Sequence, residues 1–310
     1  MTVPLTIDVA GLTKRFAGRT VVDHFDLQLG EGRICGFLGP NGSGKTTTLR
    51  MICGLLIPDE GEGHVLGLDL RSERAEIKRR IGYMTQRFGL FEDLTIRENL
   101  DFVAQVYGLD HRRRRVGEAL DRLGLATRAD QLAGKLSGGW KQRLALAACM
   151  LHEPRILLLD EPTAGVDPQA RREFWDQIHA LARTGITVLV STHYMDEAER
   201  CHEIAYIAYG VMLARGTTEQ VVVASGLRAL TGEGPGADRL AADIEARPGV
   251  RTAAAFGAAL HVCGTDLAEL RTAVSPWADQ IRWTETPATL EDVFIDLMRH
   301  ASDHSVQARP

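Results

Sequence analysis

The residues best suited to chemistry form a glycine-rich run that matches the phosphate-binding pattern G-x-x-x-x-G-K-[ST]: Gly39, Pro40, Asn41, Gly42, Ser43, Gly44, Lys45 and Thr46. Glycines at these positions let backbone N–H groups turn inward around the β- and γ-phosphates of a nucleotide. Lys45 would add a positive charge, and the Thr46 hydroxyl could ligate Mg²⁺. A short apolar run precedes the glycines, and a helical pattern with Thr47 in its first turn follows them. The helix would therefore direct its positive end at the same anion.

Two carboxylates end a second apolar run, Ile156-Leu157-Leu158-Leu159-Asp160-Glu161. Paired carboxylates are costly at the end of a buried strand, but they suit Mg²⁺ chemistry. Asp160 would hold the ion, directly or through water, and Glu161 would polarise the water that attacks the γ-phosphate. An isolated Asp-Glu pair would favour a solvated strand end, whereas the phosphate loop upstream favours the catalytic interpretation.

The run Leu136-Ser137-Gly138-Gly139, followed by Trp140-Lys141-Gln142-Arg143, resembles the signature loop of the ATP-binding-cassette (ABC) ATPases, which usually reads L-S-G-G-Q. The other markers of that family stand in order between about Leu5 and Gly216. They are Phe16 at the position of the adenine-stacking aromatic, Gln86 in the Q-loop, Ala164-Gly165-Val166-Asp167 in the D-loop, and His193 as the switch histidine.

This resemblance implies a P-loop cassette that binds ATP and Mg²⁺ through the residues that match the family's motifs. ATP would contact Phe16, the loop from Gly39 to Thr47, and Ser137, Gly138 and Gly139. The metal site would comprise Thr46, Gln86 and Asp160, while Glu161, His193 and Gln86 would act in hydrolysis. In the family the signature loop closes on the ATP of the opposite subunit, so a single cassette implies a homodimer or a paired cassette. Trp140 departs from the usual glutamine and removes an amide beside the phosphate contacts.

The elements that must position these residues follow from hydrophobic patterning. Short β-type runs alternate with helical patterns as far as Gly216, which indicates an α/β layered domain with a parallel-sheet core. The resemblance adds antiparallel N-terminal strands and a helical subdomain at about residues 87–150. Within that subdomain, Thr95-Ile96-Arg97-Glu98 is a capping box that begins a helix.

The composition changes after about Val223, which predicts a boundary between a cassette over residues 1–223 and a small α+β domain over 224–302. The run Gly232-Glu233-Gly234-Pro235-Gly236 predicts a linker or loop. We expect helices at Asp238–Ala246, Asp266–Val274 and Leu290–Arg299, and a hairpin from Val250–Ala255 and Ala259–Cys263. The polar composition of residues 303–310 predicts a disordered tail.

Bulk composition limits the function classes. The chain has 310 residues and a net charge of −5, which argues against coating nucleic acid or anionic lipid through charge alone. No run approaches the roughly 20 apolar residues of a membrane span, and the N-terminus does not resemble a signal peptide. The five cysteines include no C-x-x-C pair, so we expect buried thiols in a cytosolic protein.

Three weaker signals have ordinary explanations beside functional ones. The arginines from Arg112 to Arg115 suggest that the chain binds nucleic acid. A solvated helix face is favoured instead, because acidic residues follow the arginines directly in the sequence. His261 and Cys263 alternate on a strand and could meet a metal, yet two ligands are too few, which favours a core role. The segment Arg87–Leu94 carries two aromatic residues. In transporters of the family it faces the coupling helix of the membrane partner, and we expect an interface here over an inward-folded loop.

Taken together, these features predict the ATPase subunit of an ABC exporter, peripheral on the cytoplasmic face of the membrane, with a separate permease chain. The D-loop, the segment Ser191–Cys201 and the run Thr289–Phe294 resemble exporter cassettes that pair with type-two permeases, multidrug pumps among them. The alternatives are a soluble ABC ATPase acting on ribosomes or nucleic acid, and a regulatory protein with weak hydrolysis. One cassette without sustained heptads weighs against the first, and the intact Asp160-Glu161 pair weighs against the second. The transported molecule contacts the membrane chains, so the cassette does not identify it.

Overall fold

The computed structural model describes residues 5–307, and its first ten strands form two sheets. These strands are β1 (Leu5–Phe16), β2 (Arg19–Gly30), β3 (Ile34–Leu38), β4 (Glu60–Val65), β5 (Leu68–Asp69), β6 (Ile81–Met84), β7 (Ile156–Asp160), β8 (Thr187–Thr192), β9 (Glu203–Ala208) and β10 (Val211–Gly216). One sheet has the order β2-β1-β4-β5 and is antiparallel. The other has the order β10-β9-β3-β8-β7-β6, and its pairs from β9 to β6 are parallel. The predicted cassette fold is confirmed.

Parallel pairing explains why the chemical residues gather at one edge. β3, β7 and β8 are neighbours that run in one direction, so the residues that follow their carboxyl ends lie side by side. Their sequences are almost wholly apolar because both faces of the sheet are covered by packed side chains. The helices of this part of the chain are α1 (Lys45–Ile52), α2 (Arg74–Arg80), α3 (Ile96–Val106), α4 (Arg112–Arg122), α5 (Gly138–Met150), α6 (Pro168–Arg183) and α7 (Met195–Ala198).

Helices α3, α4 and α5 fall in the section predicted to be helical. The capping box at the start of α3 is present, since Thr95 accepts from the Glu98 amide and Glu98 accepts from the Thr95 amide. No helix within the described part of the chain is long and apolar enough to cross a bilayer. All five cysteines lie within the described residues, and none of them forms a disulfide bond.

The chain divides into two compact units between Leu213 and Ala214. The second unit contains a four-stranded sheet and four α-helices: β11 (Arg228–Glu233), β12 (Thr252–Phe256), β13 (Ala259–Gly264), β14 (Arg282–Thr286), α8 (Thr218–Ser225), α9 (Ala241–Glu245), α10 (Leu267–Val274) and α11 (Leu290–Gln307). The strand order is β12-β13-β11-β14, and every pair is antiparallel. The structural division precedes the predicted boundary at residue 223 because α8 packs against α11.

One expectation for this second unit was wrong in part. The predicted linker from Gly232 is not a linker at its start, because Gly232 and Glu233 complete β11. A side chain at position 232 would meet the ring of Trp283 at 2.5 Å, so glycine is needed for close packing and not for flexibility. The disordered tail at residues 303–310 stays a prediction: α11 extends to Gln307, and residues 308–310 lie outside the described residues.

Candidate functional site

The glycine-rich run forms a tight loop between β3 and α1. Gly39 has a φ of +148°, and a β-carbon there would lie 1.9 Å from the carbonyl oxygen of Ile207. Only glycine fits this position. The loop folds back on the Lys45 ammonium, whose Nζ donates to the carbonyls of Gly39 at 2.7 Å and Pro40 at 3.0 Å. The loop therefore holds the lysine at the start of α1, where the N–H groups of the helix are unpaired.

Two features of the loop fit an anion. The hydroxyl oxygen of Ser43 is buried and has no hydrogen-bond partner, which is costly unless a ligand supplies one. Burial lowers the pKa of Lys45, although the nearby Glu161 and Asp160 oppose this effect, and a bound phosphate would also oppose it. Asn41, Gly42, Gly44, Thr46 and Thr47 join these residues in lining an open cleft of about 360 Å³. The residues present therefore fit a nucleotide polyphosphate.

The carboxylate of Asp160 lies beside the loop, and the described side chains that donate hydrogen bonds to it are all hydroxyls. Its Oδ1 accepts from the Thr46 hydroxyl at 3.1 Å and from the Ser191 hydroxyl at 2.6 Å. A carboxylate and a hydroxyl held this close are the hard oxygen ligands that Mg²⁺ prefers. Thr46 and Asp160 are thus positioned for the metal role that the sequence assigned to them, and Gln86 lies at the neighbouring carboxylate.

Glu161 lies at the centre of the polar groups of the site. Its backbone has a φ of +47°, a strained conformation that is held by hydrogen bonds from its amide to Ser191. Gln86 Nε2 donates to Glu161 Oε2 at 3.0 Å, and His193 Nδ1 lies 3.6 Å from the same oxygen. Lys45 Nζ lies 3.9 Å from Oε1. The structure therefore brings together Lys45, Gln86, Glu161 and His193 from four separate segments of the chain.

A buried carboxylate that the sequence reasoning missed connects these segments. Glu197 is fully buried, and it accepts hydrogen bonds from the hydroxyls of Thr163, just after Glu161, and Thr192, just before His193. Arg171 of α6 lies 3.6 Å from the same carboxylate and stacks over Tyr194. The available signal in the sequence was an acidic residue in α7 that follows two strands with a threonine at or just beyond the carboxyl end. Only the pairing of these strands shows that the acid and the two threonines lie together.

The signature residues lie apart from the phosphate loop within the chain. Ser137 is exposed and precedes α5, and its side chain makes no capping bond to that helix. Ser137 and Gly139 line a separate cavity of about 320 Å³ with the start of α6, and this cavity shares no lining residue with the phosphate cleft. A β-carbon on Gly139 would lie 2.6 Å from that of Ala170, so glycine lets α5 pack closely on α6.

Trp140, the departure from the usual signature, lies between two arginines. The guanidinium of Arg128 is 4.6 Å from the ring centroid and that of Arg143 is 5.0 Å away. Arg143 also pairs with Glu173 of α6. The indole therefore replaces an amide with a stacked aromatic that connects the signature helix to its neighbours.

Phe16 is a predicted nucleotide contact that lines neither cavity and lies outside both the phosphate loop and the signature loop. It ends β1 with 47% of its surface exposed, and Lys14 Nζ lies 5.6 Å from its ring centroid. Val21 of the following strand lines the phosphate cleft instead. An exposed aromatic at a hairpin end can stack on a base, so its role remains a prediction.

Comparisons with known proteins agree with this geometry. The family model described as ABC transporter matches residues 22–164. The chain is 44% identical over 217 residues to the probable multidrug ABC transporter ATP-binding protein YbhF of Escherichia coli, a match that covers 69% of this chain and only 38% of that protein. It is 37% identical over 295 residues to Nod factor export ATP-binding protein I of Burkholderia pseudomallei, covering 94% and 96% of the two chains.

Solved structures show the same cassette. The protein cbiO1 of Clostridium perfringens, part of the ABC transporter complex cbiONQ, superposes with a TM-score of 0.65 at 27% identity over 71% of this chain and 91% of that one. A dimeric ATP-binding cassette in a post-hydrolysis state with ADP and Pi bound gives a TM-score of 0.62 at 28% identity, over 68% and 98%.

Proposed function

Because this chain belongs to the family of ABC transporter ATP-binding proteins, we propose that it binds and hydrolyses ATP as the motor subunit of an exporter. The observation that carries the proposal is the convergence of Lys45, Gln86 and His193 on Glu161 beside the phosphate loop. Hydrolysis at such a site depends mainly on positioning and on charge stabilisation. Two of the relatives are named as a probable multidrug transporter subunit and as a Nod factor export protein, which supports export as the direction of transport.

The chain's own residues have distinct tasks in this mechanism. The backbone of the glycine loop and the Lys45 ammonium would hold the phosphates, and Mg²⁺, bound by Thr46 and Asp160, would neutralise their charge. The Glu161 carboxylate would accept a proton from the attacking water, while Gln86 and His193 hold that carboxylate in place. His193 would also face the γ-phosphate.

The active unit would be a pair of cassettes. Ser137 and Gly139 lie at a cavity of their own, away from the phosphate loop of the same chain. The amino end of α5 has unpaired N–H groups and a positive dipole, and it would therefore suit the phosphates held by a partner. The pair would be a homodimer or this cassette with a paired cassette, since the described cassette holds one phosphate loop and one signature loop. Dimerisation and Mg²⁺ binding are both parts of the proposal.

A separate permease would dock on the helical section, and the protein would then lie on the cytoplasmic face of the membrane. Phe91 and Phe102 are exposed and meet edge to face with their ring centroids 5.1 Å apart. Phe102 lines a groove with Arg97 and Gln105, and Val106 of the same helix is 68% exposed. An apolar patch with a polar rim is typical of a protein interface.

The test is affinity purification of the chain from detergent-solubilised membranes of its own host, with partners identified by mass. We expect a polytopic membrane protein in about equal amount, and its loss from the double variant Phe91→Ser, Phe102→Ser. A matched control is Val223→Ser, which removes another highly exposed apolar side chain from the second unit. Recovery of ribosomes or nucleic acid without a membrane protein would instead support the soluble alternative.

A further inference from the structure

The sheet of the second unit has one apolar face and one polar face. Along β13, Leu260 and Val262 join the apolar cluster of this unit. Side chains alternate along a strand, so His261 and Cys263 point to the opposite face. There they meet Asp292, which lies in the first turn of α11. Polar side chains on a buried sheet face cost free energy unless hydrogen bonds or a ligand satisfy them. The predicted hairpin alone did not identify Asp292 as the third residue of the cluster.

The three side chains converge closely. One ligand atom from each of His261, Cys263 and Asp292 lies within 4.8 Å of the others. His261 Nδ1 is 3.3 Å from the carboxylate of Asp292. Cys263 is fully buried, Asp292 is 2% exposed, and the His261 side chain is 13% exposed. The sulfur, nitrogen and oxygen donors therefore surround one small volume that water can reach past the imidazole.

The surrounding hydroxyls hold these ligands in a suitable orientation. The Thr286 hydroxyl lies 3.2 Å from His261 Nε2, which fixes the ring and leaves Nδ1 directed at the cluster. The Thr289 amide and hydroxyl both donate to Asp292 Oδ2, at 2.7 and 2.8 Å. Both carboxylate oxygens of Asp292 lie 3.3 Å from His261 Nδ1, and Oδ2 is the one that Thr289 holds. Partners of this kind behind a histidine and a carboxylate are typical of metal sites.

The charge at the cluster would also suit a cation. Among the described side chains, no lysine or arginine forms an ion pair with Asp292, whereas its neighbour Asp296 pairs with Arg251 at 3.1 Å. A divalent ion bound by a thiolate and a carboxylate would leave the site neutral. A bound metal would displace the proton of the Cys263 thiol, because the thiolate is the form that ligates a metal.

We propose that His261, Cys263 and Asp292 bind one Zn²⁺, with a water as the fourth ligand. Thiolate, imidazole and carboxylate together favour zinc over the hard ions Mg²⁺ and Ca²⁺. The ion would join β13 to the start of α11 and so stabilise the second unit. This inference is independent of the ATPase function, because none of its ligands belongs to the nucleotide site.

The test measures metal on the full chain, purified with a tag that contains no histidine and with Mg²⁺ in excess. We expect about one zinc per chain by elemental mass spectrometry. After chelation, titration with Co²⁺ should give the absorption bands of tetrahedral cobalt, including a thiolate-to-cobalt charge-transfer band. Both signals should be lost in Cys263→Ser and in His261→Asn. Cys53→Ser, which removes a buried thiol of the first unit, should keep both signals.

A second readout guards against variants that fail to fold. Added zinc should raise the melting temperature of the chelated wild-type chain but not that of a folded Cys263→Ser variant, because only a native site gains stability from its ligand. Equal zinc content in the wild-type chain and both variants would overturn the proposal. So would a chelated wild-type chain that binds no cobalt, which would leave a purely hydrogen-bonded cluster.

Discussion

At the residue scale, the decisive group is the Glu161 carboxylate. We expect Glu161→Gln to lower ATP turnover by roughly 10²–10⁴-fold, because an amide cannot accept the proton of the attacking water. ATP binding should persist, since Lys45 and the glycine loop are untouched. Phosphate release and nucleotide binding measure the two effects separately. Glu153→Gln, an exposed glutamate paired with Arg115, is the control and should keep full turnover. A Glu161→Gln chain that hydrolyses ATP normally would contradict the mechanism.

Lys45 adds a pH dependence to binding. Burial lowers its pKa below the usual 10.5, and bound phosphates should raise it again. At a pH between these two pKa values of Lys45, the chain with ATP bound holds more protons than the chain without ATP. ATP binding should therefore take up protons at alkaline pH, and affinity should fall as the pH rises through the lowered pKa. Calorimetry in two buffers with different ionisation enthalpies measures the uptake. An uptake that does not grow with pH would contradict this assignment.

Trp140 offers a test of stability at the signature. Each cation–π contact with Arg128 and Arg143 contributes about 0.5–1 kcal/mol. We therefore expect Trp140→Gln to lower the free energy of unfolding by about 1–2 kcal/mol in a denaturant titration. Trp140→Phe keeps an aromatic face and should lose less. Equal losses in the two variants would mean that the ring contributes through its size alone.

At the scale of elements, Glu197 shows how strand ends are held in register. Its carboxylate accepts hydrogen bonds from the hydroxyls of Thr163, just beyond β7, and Thr192, at the end of β8. It also lies near Arg171 of α6. We expect Glu197→Gln to lower kcat by between about 10- and 100-fold, because small misplacements of Glu161 and His193 have effects of this size. The KM for ATP should stay unchanged. Asp196→Asn, the exposed neighbour, is the matched control. A loss of stability with kcat unaltered would make Glu197 merely structural.

The same scale explains which features could be predicted from the sequence. Local patterns specified the phosphate loop, the strand that ends in Asp160 and the cap of α3, because each depends on neighbours in the chain. The strands β11 and β14 were not predicted, since Gly232 suggests a turn until Trp283 is placed against it. Glu197 and Asp292 were missed for a related reason. Their partners are brought together only by sheet pairing and helix packing, over distances that no local spacing encodes.

At the scale of the whole molecule, the separation of two cavities makes a strong prediction. If Ser137 serves the ATP of a partner, Lys45→Ala and Ser137→Ala chains should each be inactive alone yet complement each other. In a mixed dimer, one site combines both lesions, and the other combines an intact Lys45 with the partner's intact Ser137. Random pairing of equal amounts puts half of the chains in mixed dimers, so about a quarter of wild-type activity should return.

The measurement is ATPase activity after the two variants are mixed and allowed to exchange subunits. Mixing Lys45→Ala with Glu161→Gln is the control, because both residues belong to the same phosphate cleft. Each site of that mixed dimer then contains one lesion, and no activity should return. Recovery in both mixtures would show leakage from the single variants. Recovery in neither would mean that Ser137 acts on the ATP of its own chain or not at all. Only recovery confined to the first mixture requires that the site be built from two chains, and that result would make dimerisation part of the chemistry.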